Sequence, residues 1–185
     1  MKPTVLVTGA SQGIGLAAAR LFAAKGHPTV INYNRSREAA FEAARGINGS
    51  GGIAMAVKAD VSRPEEVAVM FAAVEEQLGG VDILVNNAAI ALQGLFTDME
   101  YDRWRQTFAV NVDGMFLCCK AALPYMLRRH SGGIVHVSSM WGQAGASCEV
   151  AYSASKAAVI GLTKALAQGV GPGGGRRECG GVGVC

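Results

Sequence analysis

The stretch Thr8-Gly-Ala-Ser-Gln-Gly-Ile-Gly15 follows an apolar run, Val5-Leu6-Val7, and precedes a helical pattern that begins at Leu16. Glycines in a strand-to-helix turn let the backbone approach a phosphate, and the helix N-terminus offers free N–H groups and a positive dipole end. Tight turns also use glycine for steric reasons alone, so the triplet by itself is weak evidence. Its position between a strand and a helix favours a nucleotide-phosphate site.

Strand and helix patterns alternate along the chain, and the predicted strands read as buried apolar segments. Such repeated βαβ units predict an α/β fold, a doubly wound parallel sheet in three layers that binds its ligands at the carboxyl ends of the strands. The predicted strands are Thr4–Thr8, Thr29–Tyr33, Ile53–Lys58, Ile83–Asn86 and Gly133–Val137. The predicted helices are Ile14–Lys25, Arg37–Ala44, a helix from the capping box Ser62-Arg63-Pro64-Glu65 to Leu78, Glu100–Val110, Val112–Arg129 and Tyr152–Gln168.

Composition narrows the class of protein. The 185 residues suit one domain, and half of them are hydrophobic. The formal net charge of +3 is too small to predict a nucleic-acid partner. No apolar run is long enough to span a bilayer, and no signal peptide is visible, so we expect no membrane association and a cytoplasmic location. The five cysteines and three histidines are not spaced as metal ligands, and we expect no metal.

Residues 169–185 depart from this pattern. They read Gly-Val-Gly-Pro-Gly-Gly-Gly-Arg-Arg-Glu-Cys-Gly-Gly-Val-Gly-Val-Cys, and glycine at this density disfavours helix and strand. The sequence therefore predicts a dinucleotide-binding and catalytic domain over residues 1–168, followed by a disordered tail.

The stretch Tyr152-Ser-Ala-Ser-Lys156 carries the clearest chemistry. Tyrosine and lysine four residues apart share one helix face, and an ammonium beside a phenol stabilises the phenolate. A tyrosine tuned in this way can donate or accept a proton near neutral pH. Most such pairs are surface neighbours. Here, however, Ser138-Ser139 closes a predicted strand thirteen positions before Tyr152, and Asn111 lies between two predicted helices.

Taken together and in this order, the motifs resemble the short-chain dehydrogenase/reductase family from about Thr4 to Ala167. The resemblance implies a Rossmann-type fold and reduction of a carbonyl to an alcohol by hydride transfer from a nicotinamide. Ser139 would then hydrogen-bond the substrate carbonyl, Tyr152 would be the general acid, Lys156 would hold the nicotinamide ribose and Asn111 would anchor a relay water. Ser138 would replace Ser139 only if the strand were shifted by one residue.

The end of the second strand bears on the choice of cofactor. It carries Asn34-Arg35 and no carboxylate, which favours NADP(H) over NAD(H), although Arg35 would also be an ordinary solvated residue. Gln12 stands where NADP-dependent relatives often carry arginine, which counts against that preference. Asp60 is a candidate for adenine binding or for capping its loop. The full expected cofactor set is Gly9, Ser11, Gln12, Gly13, Ile14, Gly15, Asn34, Arg35, Asp60, Val61, Asn87, Ala88, Tyr152 and Lys156.

Within the family the chain is similar to 3-oxoacyl-[acyl-carrier-protein] reductases, which implies a 3-oxoacyl thioester or a similar ketone, small or carrier-bound. The segment Gly145–Val150 with Met140–Gly142 is also similar to paralogues that reduce a 5-aminopentanone group on elongation factor P. Relatives form homodimers or homotetramers. They also continue into further strands that residues 169–185 do not resemble, so we expect a truncated or frame-shifted chain that lacks the usual last strands. Its oligomerisation is therefore in doubt, and the alternative to an enzyme is an inactive dinucleotide-binding module.

Overall fold

The computed structural model describes residues 2–169. Its five strands form one parallel sheet in the order β3-β2-β1-β4-β5. Because β1 is central and later strands are added on either side of it, the sheet is doubly wound, as predicted. The strands are β1 (Val5–Val7), β2 (Thr29–Tyr33), β3 (Ala54–Lys58), β4 (Ile83–Asn86) and β5 (Gly133–His136).

Helices connect successive strands. They are α1 (Gly13–Ala24), α2 (Arg37–Gly49), α3 (Pro64–Leu78), α4 (Tyr101–Phe108), α5 (Gly114–Arg128), the short α6 (Trp141–Ala144) and α7 (Val150–Gly169). A 3-10 turn at Phe96–Asp98 precedes α4. The sequence reading missed this turn and α6, because each is shorter than one hydrophobic repeat.

The core lies on both faces of the sheet, which makes three layers. Leu6 of β1 packs into a cluster with α3 and α5, whereas Val5 and Val7 face the opposite cluster with α1 and α2. Leu166 of α7 joins the first cluster. Because both faces are covered, the central strand is apolar throughout, as is typical of parallel sheets. The predicted Rossmann-type α/β architecture is confirmed.

The predicted capping box at the start of α3 is wrong. The helix begins at Pro64 with Arg63 at the N-cap position and no side-chain cap. The Ser62 hydroxyl instead donates to Asp60 Oδ1 at 2.6 Å. The carboxylate of Asp60, in the loop after β3, thus engages the hydroxyl that would otherwise cap the helix. Proline at the first helical position needs no N–H partner and has its φ already set, so α3 starts there.

The predicted break between two helices at Asn111 is also wrong. The backbone from α4 to α5 stays helical and passes through a π-helical turn, Ala109–Asp113. A π turn inserts one residue into the helix and turns a side chain out of register. Asn111 lies in this turn and is fully buried.

Helix α7 runs from Val150 to Gly169, one residue past the predicted helix end at Gln168, and the predicted domain boundary at residue 168 stays a prediction. The predicted disorder of the remaining tail, and the predicted lack of the last strands, concern residues 170–185, which lie outside the described residues. Within residues 2–169, no helix has the length and hydropathy needed to cross a membrane.

Candidate active site

The glycine turn between β1 and α1 is pressed against the segment that follows β4. A Cβ at Gly9, which has a φ of +61°, would lie 2.8 Å from Ala88 Cα. A Cβ at Gly15 would lie 2.5 Å from Asn87 Nδ2. That same amide donates to Thr8 O at 2.9 Å and to Gly9 O at 3.1 Å. Glycine is therefore required at both positions by the packing of the turn itself.

Gly13 is different, because the space in front of it is open. Its φ is +58°, and a Cβ there would meet no protein atom within 4 Å. No side chain caps the N-terminus of α1 at Gln12. An uncapped helix N-terminus behind an open glycine fits a phosphate, since its first N–H groups need an acceptor.

The turn opens into a cleft of about 810 Å³, here named the glycine-turn cleft, which is within the size range of cofactor sites. It runs along the carboxyl ends of β1, β2, β3 and β4, where doubly wound sheets bind dinucleotides. Of the expected cofactor residues, it is lined by Gly9, Ser11, Gln12, Gly13, Ile14, Asn34, Arg35, Asp60, Val61, Asn87 and Ala88. Gly15 is buried behind the turn.

One end of the glycine-turn cleft carries both charge signs. Asn34 Nδ2 donates to Asp60 Oδ2 at 2.9 Å, and the backbone N–H of Ser62 donates to Asp60 Oδ1 at 3.0 Å. Burial raises the pKa of the Asp60 carboxyl, but hydrogen bonds from Ser62 and Asn34 and the charge of Arg63 outweigh burial and lower it overall. Asp60 therefore organises its loop as well as lining the cleft, whereas Arg35 is exposed at the cleft wall.

The tyrosine–lysine pair stands at the end of β5. Lys156 is only 1% exposed, and its Nζ donates to Val137 O at 2.8 Å. The ammonium also lies 5.6 Å from the ring centroid of Tyr152. Burial lowers the pKa of Lys156 to about 8, so this lysine is still protonated at pH 7. A buried positive charge thus stands against the half-buried phenol, as the spacing predicted.

Asn111 ties the π turn to two neighbouring segments. Its Oδ1 accepts from Ile90 N at 2.8 Å, and its Nδ2 donates to Ile90 O at 2.9 Å and to Ser155 Oγ at 2.9 Å. The Ser155 hydroxyl in turn donates to Tyr152 O at 2.7 Å. Asn111 therefore connects the loop after β4 to the first turns of α7.

The two serines that follow β5 have different surroundings. Ser138 is buried, and its hydroxyl donates to Lys156 O at 3.0 Å. Ser139 is half-buried, and its Oγ accepts from Trp141 N at 3.2 Å. Ser138 is thus engaged in holding α7 against β5, which leaves Ser139 as the hydroxyl nearer to solvent.

The structure places the four catalytic candidates beside the glycine-turn cleft but not in its lining. Asn111, Ser139, Tyr152 and Lys156 are absent from the residues that line it. The connection runs through Ile90, which lines the cleft and carries both backbone bonds to Asn111. Asn111 therefore joins the cleft wall at Ile90 to Ser155 in the first turns of α7, the helix that carries Tyr152 and Lys156.

Sequence reasoning missed a buried polar network below this site. Asn86 Nδ2 lies 3.4 Å from Cys119 Sγ, which lies 3.6 Å from His136 Nε2. His136 Nδ1 is buried without a hydrogen-bond partner. Burial, and then the charge of Lys156, lower the pKa of His136 to about 4, and burial raises the pKa of Cys119 to about 12. A polar residue inside an apolar strand, as His136 is, was the available signal.

Comparisons with known proteins identify the family to which the chain belongs. Residues 3–175 match the short chain dehydrogenase family, and the protein belongs to it. It is therefore an NAD(P)-dependent oxidoreductase with the Rossmann-type fold described above.

Three relatives illustrate the similarity. The chain is 39% identical over 168 residues to the 3-oxoacyl-[acyl-carrier-protein] reductase FabG of Staphylococcus aureus, which is 91% of this chain and 68% of that protein. It is 40% identical over 163 residues to the 3-oxoacyl-[acyl-carrier-protein] reductase of Synechocystis sp., covering 88% and 66%. For FabG of Staphylococcus epidermidis the identity is 38%, covering 91% and 69%.

Proposed function

We propose that this protein reduces a ketone to a secondary alcohol with NADPH, with Tyr152 as the proton donor. The observation that carries the proposal is the buried Lys156 ammonium, held by Val137 O beside the Tyr152 ring. An ammonium in that position stabilises the phenolate that remains after the proton has left. The adjoining glycine-turn cleft supports a dinucleotide as the second reactant.

Each candidate residue has a defined role in this proposal. Ser139 donates a hydrogen bond to the substrate carbonyl and orients it toward the phenol. Tyr152 then protonates the carbonyl oxygen as the alcohol forms. Lys156 binds the ribose of the cofactor and stabilises the negative charge of the phenolate. Asn111 holds the loop at Ile90 and anchors the water that returns a proton to Tyr152. The bound nicotinamide supplies the hydride.

The proposed cofactor residues divide by the part of the dinucleotide that they would contact. The glycine turn, Gly9 to Gly15, would hold the pyrophosphate. Asn34 and Arg35 would hold the 2′-phosphate of NADPH, since no carboxylate follows β2 to repel it. Asp60 and Val61 would lie beside the adenine, and Asn87 and Ala88 beside the nicotinamide ribose.

For the substrate, we propose a 3-oxoacyl thioester, on the strength of the names of the relatives. An amino ketone, such as the 5-aminopentanone group on elongation factor P, is the second candidate. It is favoured by one observation, the carboxylate of Glu149 three positions before Tyr152. The two candidates share the chemistry at Tyr152 and differ in charge.

The proposal is tested by Tyr152→Phe in the full 185-residue chain. We expect kcat for a 3-oxoacyl thioester to fall by roughly 10²–10⁴, the usual contribution of a general acid. The Kd for NADPH should not change. Tyr101→Phe, an exposed tyrosine on α4, is the matched control and should keep full activity. Turnover is followed by NADPH oxidation, and binding is followed by the rise in melting temperature.

The outcomes separate the alternatives. Full turnover in Tyr152→Phe would reject the assigned proton donor. A melting temperature raised by NADPH without any turnover in the unmodified chain would favour the inactive dinucleotide-binding module. A bound ligand stabilises the folded chain according to the ratio of its concentration to its Kd, by about 2.7 kcal/mol at a hundred times the Kd. At equal concentrations the cofactor with the lower Kd should therefore stabilise more. Equal stabilisation by NADH and NADPH would contradict the proposed preference.

A further inference from the structure

The register of the sheet brings a carboxylate to the cleft wall beside the end of β2. Tyr33 of β2 pairs with Lys58 of β3, and Ala59 N donates to Tyr33 O at 2.9 Å. Asp60, the next residue, contacts Asn34, whose Nδ2 donates to Asp60 Oδ2 at 2.9 Å. Both residues line the glycine-turn cleft. The end of β2 has no acid of its own, but the fold supplies one from β3.

The carboxylate of Asp60 is fixed through both of its oxygens. Ser62 N and Ser62 Oγ donate to Oδ1 at 3.0 and 2.6 Å, and Asn34 donates to Oδ2. The backbone is held as well, since Asp60 N donates to Glu66 Oε2 at 2.8 Å. Burial raises the pKa of Asp60, but the hydrogen bonds from Ser62 and Asn34 and the charge of Arg63 lower it overall. Asp60 is therefore a fixed negative charge at neutral pH.

The pair of Asp60 and Asn34 offers a ligand more acceptors than donors. A carboxylate oxygen accepts about two hydrogen bonds, so Oδ1 of Asp60 is filled by Ser62 and Oδ2 has room for another donor. Because an ionised carboxylate only accepts, the Asn34 atom that faces it is the amide nitrogen. Within residues 2–169 the amide oxygen of Asn34 makes no hydrogen bond. A ribose hydroxyl, which can donate, fits these acceptors better than a phosphate does.

Two opposite charges compete at this end of the cleft. Among the residues that line it within residues 2–169, Arg35 and Asp60 are the only charged ones. Arg35 is exposed, and its guanidinium suits a phosphate. Arg63 is also near Asp60, but it lies outside the lining and pairs with Glu66 at 3.6 Å and Glu65 at 3.9 Å. A phosphate at this end would therefore be attracted by Arg35 and repelled by Asp60.

We propose that Asp60 is a specificity-determining residue for the cofactor, and that it weakens the preference for NADPH that Arg35 provides. This inference rests on the proposed function, because it concerns the same cleft. The carboxylate and the amide oxygen of Asn34 accept from the 2′-OH of NADH, and the carboxylate repels the 2′-phosphate of NADPH. An acid that follows β2 has this effect in other dinucleotide folds, and here an acid that follows β3 replaces it.

The test measures the Kd of NADP⁺ and the Kd of NAD⁺ by isothermal titration calorimetry in the full 185-residue chain. These oxidised forms differ from each other only in the 2′-phosphate. Asp60→Asn removes the charge and keeps the shape, and the pair with Asn34 can form with donor and acceptor exchanged. Glu66→Gln is the matched control, because it removes a carboxylate that touches Asp60 N but lies outside the cleft lining.

Asp60→Asn should raise the preference for NADP⁺ over NAD⁺ by roughly tenfold, the factor that corresponds to about 1.4 kcal/mol of repulsion between nearby charges. The gain should come from tighter binding of NADP⁺, with NAD⁺ bound equally or more weakly. A variant that only loosened the loop would weaken the binding of both cofactors. Glu66→Gln should change the ratio of the two Kd values by less than about twofold, because exposed charges are screened.

Three results would overturn the inference and leave the proposed function standing. An unchanged ratio in Asp60→Asn, or an equal weakening of both cofactors, would restrict Asp60 to the structure of its loop. An equal rise of the ratio in Glu66→Gln would assign the effect to overall charge. If neither cofactor binds the unmodified chain, the proposed function itself is rejected, and the inference is rejected with it.

Discussion

The glycine turn and the start of α7 lie at the same sheet edge, but they are built by different means. The turn depends on the absence of side chains at Gly9 and Gly15, because a Cβ at either position would collide with Ala88 or Asn87. The start of α7 is shaped by buried polar side chains, Asn111 and Lys156, that are bonded to distant backbone groups.

This difference determines how each region responds to change. The glycine turn is open to solvent on one side, so a substitution there lowers the free energy of unfolding mainly where the added side chain collides with a neighbouring atom. A buried polar group carries a desolvation cost that only its own partners offset. The α7 region should therefore lose more free energy of unfolding per substitution than the turn.

The largest effect on the free energy of unfolding is expected for Asn111→Ala. It leaves Ile90 N and Ile90 O without their partner inside the protein and removes one of the two hydrogen bonds of Ser155 Oγ. At 1–3 kcal/mol for each buried group left unpaired, we expect a loss of about 3–5 kcal/mol. Urea unfolding monitored by circular dichroism measures it.

Asn48→Ala is the matched control, because Asn48 pairs both backbone groups of Ala54 in the same way but on the surface. There water replaces the lost bonds, and the expected loss is no more than about 1 kcal/mol. Equal losses for the two variants would contradict the contrast between the two regions.

The next largest effect concerns pH and His136. Its pKa is about 4 in the folded chain and 6.5 without the fold, so the unfolded chain binds more protons between these values. The free energy of unfolding should therefore decrease as the pH falls from 6.5 to 4, by on the order of 3 kcal/mol from this residue. His136→Gln should remove this part of the slope, as measured by urea unfolding across that range.

His27→Gln serves as the control for the loss of a histidine, since His27 bonds Pro3 O near the surface. It should leave the slope between pH 6.5 and 4 in place. A slope that survives His136→Gln unchanged would mean that other groups account for it.

The same contrast between the two regions explains which features could be predicted from the sequence and which could not. The glycine turn is local, so its residues and their position between β1 and α1 were predicted correctly. The buried location of Asn111 was not, since the sequence pattern suggested a break between two helices. Its partners, Ile90 and Ser155, are 21 and 44 positions away, and no local pattern encodes them.

Two further failures have the same cause. Ser62 has the sequence of a helix cap, yet it bonds Asp60 because the loop after β3 folds back on itself. His136 and Cys119 are brought together only by the packing of α5 on β5. The cytoplasmic location, the self-association and the roles of the site residues stay predictions.

The smallest effect on stability is expected at the turn, where two glycines give different outcomes. Gly15→Ala places a Cβ 2.5 Å from Asn87 Nδ2 and 2.9 Å from Gly9 O, and such overpacking costs about 1–3 kcal/mol. Gly13→Ala meets no protein atom within 4 Å. It costs only the left-handed backbone, about 1 kcal/mol, but its methyl enters the proposed phosphate space.

We therefore expect Gly15→Ala to lower the melting temperature of the free chain more than Gly13→Ala does. Gly13→Ala should instead abolish most of the rise in melting temperature that NADPH produces. The two melts, with and without NADPH, separate packing from binding at positions two residues apart. An unchanged NADPH response in Gly13→Ala would place the phosphate elsewhere, and the open space before α1 would then have to be explained without a ligand.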